Sequence, residues 1–179
     1  MIRLSFIKTT YAARQAKGFT LVELVVTIVL VGIIGTFTTF FLYTGFSGYL
    51  RAKDTAEGAL KAQIALDRIS LELRDINGIS AFTANTSIDY TSVTLPGNRQ
   101  ITYNPDPVAR TIALSVDGNS NPLLDNVASF TMTPTYIDLN YYSDGLNEVQ
   151  AIDVVFTVGE IGRQFNARIF PRNMVTQPP

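Results

Sequence analysis

AKGFTLVELVV, residues 16–26, joins a basic segment to an uncharged one through a single acid, Glu23. Forward of it, residues 24–50 hold no charged side chain and include Val25, Val26, Ile28, Val29, Leu30, Val31, Ile33, Ile34, Phe37, Phe40, Phe41 and Leu42. A helix needs about 20 apolar residues to cross a bilayer core, so this run is long enough. The alternative, a buried helix of a soluble protein, fits an uninterrupted run of this length poorly. A secretory h-region is shorter, about 7–15 residues, and no A-x-A pattern closes the run. Backward of Glu23, residues 1–18 hold Arg3, Lys8, Arg14 and Lys17 and no acid, whereas Arg51 and Lys53 beyond the run are mixed with Asp54 and Glu57. The basic flank of a membrane helix stays in the cytoplasm, so the N-terminus is expected there and the rest of the chain across the membrane.

Glu23 then needs a physical reason. A carboxylate in hydrocarbon costs a few kcal/mol, although one at the helix start can sit at the interface or draw on the positive helix end. Two readings stay open: a tolerated interfacial acid, or an acid compensated by a cationic partner. A cut between Gly18 and Phe19 would create such a cation, placing a new amino group one helical turn before Glu23. On a staggered neighbouring helix the same amine would face this carboxylate.

The stretch Lys17-Gly18-Phe19-Thr20-Leu21-Val22-Glu23, followed by the apolar run, resembles the class III signal of type IV pilins and type II secretion pseudopilins. The resemblance implies a prepilin peptidase that cuts after Gly18 and methylates Phe19, with Glu23 registering subunits during assembly. It implies other pilin or pseudopilin subunits and inner-membrane lipid as partners. It also implies a bacterial inner-membrane precursor with a periplasmic head that later joins a pilus or pseudopilus. Further along, "ALDRISLELRDI" (residues 65–76) and "VQAIDVVFTV" (residues 149–158) more loosely resemble minor pilins, the mannose-sensitive haemagglutinin (MSHA) type in particular, and J-type pseudopilins. Many major pilins carry a proline mid-helix, and residues 35–45 have none. Gly32 and Gly35 can loosen the helix by about 1 kcal/mol each relative to Ala, or let helices pack closely. A signal-anchored periplasmic binding or adhesive domain is the reading from a different class.

Composition bounds the rest. The 179 residues, 46% hydrophobic and 16% charged, suffice for one ordinary domain plus the membrane segment. Without the basic leader the net charge falls from −1 to −5, an acidic balance that argues against nucleic-acid binding through bulk charge. Cysteine and histidine are both absent. That excludes disulfides, thiol catalysis, Ser-His-Asp and Cys-His arrangements and the common transition-metal ligands. No cofactor is implied, and an enzyme is not expected.

Residues 49–77 have a helical period. Ala52, Ala59, Ala62, Leu66, Ile69, Leu73 and Ile76 fall on one face, suited to docking on a head domain. Leu60, Ile64 and Leu71 make a second, narrower stripe nearly opposite, covered either by loops of the same chain or by a partner subunit. Asp67, Arg68, Glu72, Arg74 and Asp75 fill the sides as solvated or helically paired charges without assigned chemistry. Asn77-Gly78 is the expected helix stop, with Gly in the left-handed conformation.

After it the period changes to 2. Ile112, Leu114 and Val116, then Ile152, Val154, Phe156 and Val158, then Phe165, Ala167 and Ile169 alternate with polar or small residues. Turn signals stand at Pro96-Gly97-Asn98, Asn104-Pro105-Asp106-Pro107, Asp117-Gly118, Asp144-Gly145 and residues 159–162. The expected fold is α+β: a long N-terminal helix packed on a C-terminal antiparallel sheet with one buried face. The expected divisions are a cleaved leader at 1–18, a membrane and filament-core helix at 19–50, an amphipathic helix at 51–77 and a β-rich head at 78–179. Residues 176–179 are expected to fray.

Two loops invite a calcium reading. Asp117-Gly118-Asn119-Ser120-Asn121 fails the EF-hand template, because Pro122 stands at the glycine position and Ala128 at the final glutamate position. Asp138, Asn140, Asp144, Asn147 and Glu148 meet no spacing template and read as a polar turn. Tyr136, Tyr141 and Tyr142 read as rings packed at a sheet margin rather than a carbohydrate contact. No metal site is predicted.

Overall fold

The computed structural model describes residues 18–138, 148–173 and 175. The chain divides into two compact units, Met1–Tyr49 and Leu50–Pro179. One helix, α1 (Leu21–Arg74), contributes to both.

Within the first unit the described residues after Thr20 are helical throughout, and Gly32 and Gly35 do not interrupt the helix. Its large apolar side chains stand exposed, as in a segment whose solvent is supplied by something else. Five of its hydroxyls are bonded back to the helix itself. Thr27 Oγ1 donates to the Leu24 carbonyl (2.8 Å), Thr36 to Gly32 (2.9 Å), Thr39 to Gly35 (2.8 Å), Thr44 to Phe40 (2.9 Å) and Ser47 to Thr44 (3.1 Å). Hydroxyls satisfied this way remove most of the penalty of placing Ser and Thr in hydrocarbon.

The second unit holds the core. Ala62, Leu66, Ile69 and Leu73 on α1 are buried, joined by Ala65, while Ala59 is half-buried and Ala52 exposed. The strands are β1 (Ile76–Thr83), β2 (Ser87–Ser92), β3 (Asn98–Asn104), β4 (Thr111–Val116), β5 (Asn119–Leu124), β6 (Val127–Ile137), β7 (Glu148–Val158) and β8 (Arg163–Ile169). The architecture is α+β, with antiparallel pairing throughout. Alternation is as expected in β7 and in most of β4: Ile112, Leu114, Ile152, Val154, Phe156 and Val158 are buried, while Val116 at the end of β4 is half-buried. In β8 Ile169 is buried, and Phe165 stacks on Phe156 with ring centroids 5.7 Å apart.

Two details differ from the expectation. The strands form two sheets instead of one, a five-stranded meander β1-β2-β3-β4-β5 and a three-stranded meander β6-β7-β8. The seam has a sequence cause: β5 carries Pro122 and β6 carries Pro134, and proline, lacking a backbone donor, is confined to edge strands. The chain turns between them at Asn126, whose φ of 55° is left-handed.

The helix stop also moves. α1 ends at Arg74, Ile76 opens β1, and Gly78 pairs with Thr91 inside that strand without a positive φ. Asp75 replaces the expected Asn77-Gly78 stop. Its amide bonds to the Glu72 carbonyl (3.2 Å) in a tight last turn, and its carboxylate accepts from Ser92 Oγ, from the Thr94 amide (3.0 Å) and from Thr94 Oγ1 (2.6 Å). The C-terminal segment completes the cap. The Arg172 amide donates to the Arg74 carbonyl (2.9 Å), Asn173 Nδ2 donates to the Ile76 carbonyl (2.9 Å), and Val175 is buried.

Asp117-Gly118 is a two-residue hairpin turn between β4 and β5, with φ of 50° and 83°. Asp117 Oδ1 is already engaged, accepting from the Asn98 amide at 2.8 Å, which closes the neighbouring Pro96-Gly97-Asn98 turn. Tyr136 is half-buried at the margin of β6. Tyr141, Tyr142, the Asp144-Gly145 turn and most of the second acidic loop lie outside the described residues, as do the leader basics and residues 176–179.

Candidate functional site

Residues 18–20 precede the helix without regular structure. Around Gly18 there is open space on every side where a Cβ would stand, and Phe19 is 78% exposed. Among the described residues nothing covers the Gly18–Phe19 peptide, which lies outside the helical ladder.

Thr20 is the helix cap. Its Oγ1 accepts from the Glu23 amide at 3.3 Å, and its carbonyl accepts from the Leu24 amide at 3.1 Å. Thr20-Leu21-Val22-Glu23 has the spacing of a capping box, and the threonine half of it is formed. Glu23 lies in the first turn, where the unpaired amides and the helix dipole favour negative charge. The Thr-x-x-Glu spacing is a signal the sequence itself carries, and it adds a local reason for the acid that does not depend on a partner.

Gly32 and Gly35 face open space and, with Thr36, Thr39, Phe40 and Tyr43, line a shallow apolar notch along the helix. Nothing within the first unit fills it among the described residues. Small-residue notches of this kind admit the close approach of a second helix.

The charged residues flanking the second half of α1 are paired at helical spacing in part, as Arg68 with Glu72, but Glu72 and Asp75 also take partners from other elements, which corrects the expectation of solvent or helical pairing alone. Glu72 is 2% exposed. Its Oε2 accepts from Arg99 Nε (2.6 Å) and from the Tyr90 hydroxyl (2.8 Å), while its Oε1 accepts from Arg99 Nη2 (2.7 Å) and pairs with Arg68 Nη2 (2.7 Å). Burial pushes the Glu72 carboxyl up, but the hydrogen bonds from Arg99 and Tyr90 and the guanidinium charges outweigh it, so the net displacement is downward. The same cluster raises the Tyr90 hydroxyl, first through burial and then through the Glu72 charge. A carboxylate bonded this fully has no role left as acid, base or nucleophile. It ties α1 to β2 and β3. Asp75, held by Ser92 and Thr94, is lowered to about 2. Asp67 accepts from Gln63 (3.0 Å), and Arg74 is exposed. The partner of Glu72 was hidden from the helical pattern because Arg99 lies on β3.

Leu60, Ile64 and Leu71 remain 62%, 59% and 61% exposed, so no described loop of the chain covers the second stripe.

Against this geometry, residues 13–39 match the family model for the prokaryotic N-terminal methylation motif. The chain carries that motif. The match includes Gly18, Phe19, Glu23, Gly32 and Gly35, and ends before the head. Comparison with curated proteins and with solved structures finds no match. The motif and the long apolar helix together support a type IV pilin- or pseudopilin-like protein, a structural class rather than an enzymatic one. They support membrane anchoring through α1, which is long and apolar enough to cross a bilayer.

Proposed function

We propose that the chain is the precursor of a minor subunit of a type IV pilus, of the MSHA type that residues 65–76 and 149–158 resemble. Prepilin peptidase removes residues 1–18, and Phe19 becomes a methylated N-terminus. Residues 19–50 hold the subunit in the inner membrane, N-terminus toward the cytoplasm, and then form part of the filament core. The remaining residues form the periplasmic head. The observation that carries this reading is the methylation motif over residues 13–39, continued by a helix whose apolar side chains are exposed.

The energetics are an exchange of solvents. The helix leaves lipid when neighbouring helices offer an equally apolar surface, with Gly32 and Gly35 allowing close approach. Glu23 makes the exchange directional, because a neighbour's Phe19 amine neutralises it in the filament.

Glu23→Gln tests this. Glutamine serves the capping box as well as glutamate does, so the helix start is preserved and the charge alone is removed. Breaking one partner of a buried ion pair costs about 3–5 kcal/mol, with the lower end expected near an interface that water reaches. At equal membrane levels, the ratio of Glu23→Gln to wild-type chain in sheared filaments should fall well below one, with cleavage unaffected. An unchanged ratio would make Glu23 a helix-capping acid only and favour the signal-anchored periplasmic domain.

A further inference from the structure

At the C-terminal end of α1 the head carries a groove lined by the apolar Leu71 and Leu95 and by Arg68, Arg74, Thr94 and Arg172. The groove is basic on a chain that is otherwise acidic: residues 19–179 carry a net charge of −5. Its two carboxylates are already engaged. Asp75 stays anionic, held by Ser92 and Thr94 and within electrostatic reach of Arg172, and Glu72 accepts two hydrogen bonds from Arg99, which leaves the three arginines of the groove in excess. Because Arg99 neutralises Glu72 from inside, Arg68 can turn to an incoming carboxylate without leaving a buried charge unpaired. Arg74 and Arg172 are exposed, and among the described residues neither has a carboxylate within ion-pair distance. Leu71 is 61% exposed and continues down the helix as the uncovered stripe of Ile64 and Leu60.

We infer that this groove docks the head of a neighbouring filament subunit, through a segment of that subunit in which an aliphatic side chain stands beside a carboxylate. The inference rests on the filament reading above and adds where the heads meet. The chemistry is that of an interface anchor: an apolar side chain desolvated on Leu71 and Leu95, fixed in register by guanidinium–carboxylate bonds at its rim. A lipid headgroup fits less well. About 30 Å of helix separates Leu71 from Leu50, where the uncharged run ends.

The test uses the full chain in cells, with a photo-crosslinking benzoylphenylalanine replacing Leu71, or replacing Val108 as a control that is 94% exposed and outside the groove. The expected result is an adduct at Leu71 several-fold above Val108, whose partner, identified by mass spectrometry, carries the same N-terminal methylation motif. Combining it with Arg74→Glu and Arg172→Glu should lower that adduct at least five-fold. If the charge-reversed chain is degraded, Arg74→Gln with Arg172→Gln should give the same loss. No excess over Val108, an adduct with lipid alone, or an adduct indifferent to the charge changes would overturn the inference. Sheared filaments from the same cells separate the two claims. Wild-type chain in filaments without a Leu71 adduct removes the groove alone, whereas wild-type chain absent from filaments removes the filament reading.

Discussion

Arg99→Met should destabilise the head more than any other single change to a charged side chain, although the residue lies far from the processing site in sequence. Arg99 is 6% exposed and meets Glu72 through two bonds, Nε to Oε2 at 2.6 Å and Nη2 to Oε1 at 2.7 Å. Methionine keeps the volume of the apolar stem and removes the guanidinium. Glu72 is left buried with Tyr90 and with Arg68, whose side chain is 45% exposed and supplies a weaker, more screened charge. Removing one member of a buried pair costs about 3–5 kcal/mol, and the remaining contacts place this case near about 3 kcal/mol. For a head of this size that is a fall in melting temperature of roughly 10 °C. Circular dichroism of the soluble fragment 51–179 reads it directly. Adding Glu72→Met should recover at least half of the loss, because replacing both charges by apolar groups of similar volume is often close to neutral, less the unsatisfied Tyr90 hydroxyl. A single variant melting within about 1 °C of wild type, or a double variant less stable than the single one, would show that the Arg99–Glu72 pair does not hold the head together.

The fragment 51–179 should itself fold, since among the described residues the buried hydrophobic ones all lie at Ala62 or beyond; one cooperative melt with mixed helix and strand is expected, and a disordered spectrum would contradict it. Asp75 gives a pH signature. Its folded-state value is lowered to about 2 by Ser92 and Thr94, whereas an unfolded aspartate titrates near 3.9. The stabilisation is therefore complete above about pH 4 and lost as pH falls toward about 2. Acid titration of the fragment should show a drop in that window that is reduced in Asp75→Asn, and equal slopes would show that Asp75 contributes nothing.

The membrane-length helix was legible because it depends on local sequence, an uncharged run behind a basic segment. The strands were legible where one face is buried, as in Ile152, Val154, Phe156 and Val158, since period 2 follows directly from the pleat. What local pattern did not carry was pairing across the fold. Glu72 looks like one more charge on a helix flank until β3 brings Arg99 to it from 27 residues away. The helix stop was misplaced for the same reason, because Asp75 ends the helix through Ser92 and Thr94, and the caps from Arg172 and Asn173 arrive from the far end of the chain. The division into two sheets was signalled by Pro122 and Pro134, each on an edge strand, a signal that hydrophobic alternation alone does not register.

As a precursor, the chain would release its helix for assembly by a cut at Gly18–Phe19. Mass spectrometry of the protein extracted from the membranes of cells with active prepilin peptidase tests it most directly. The expected product is a mature chain that lacks residues 1–18 and begins with methylated Phe19. An intact chain beginning at Met1, with Phe19 unmodified, would contradict it.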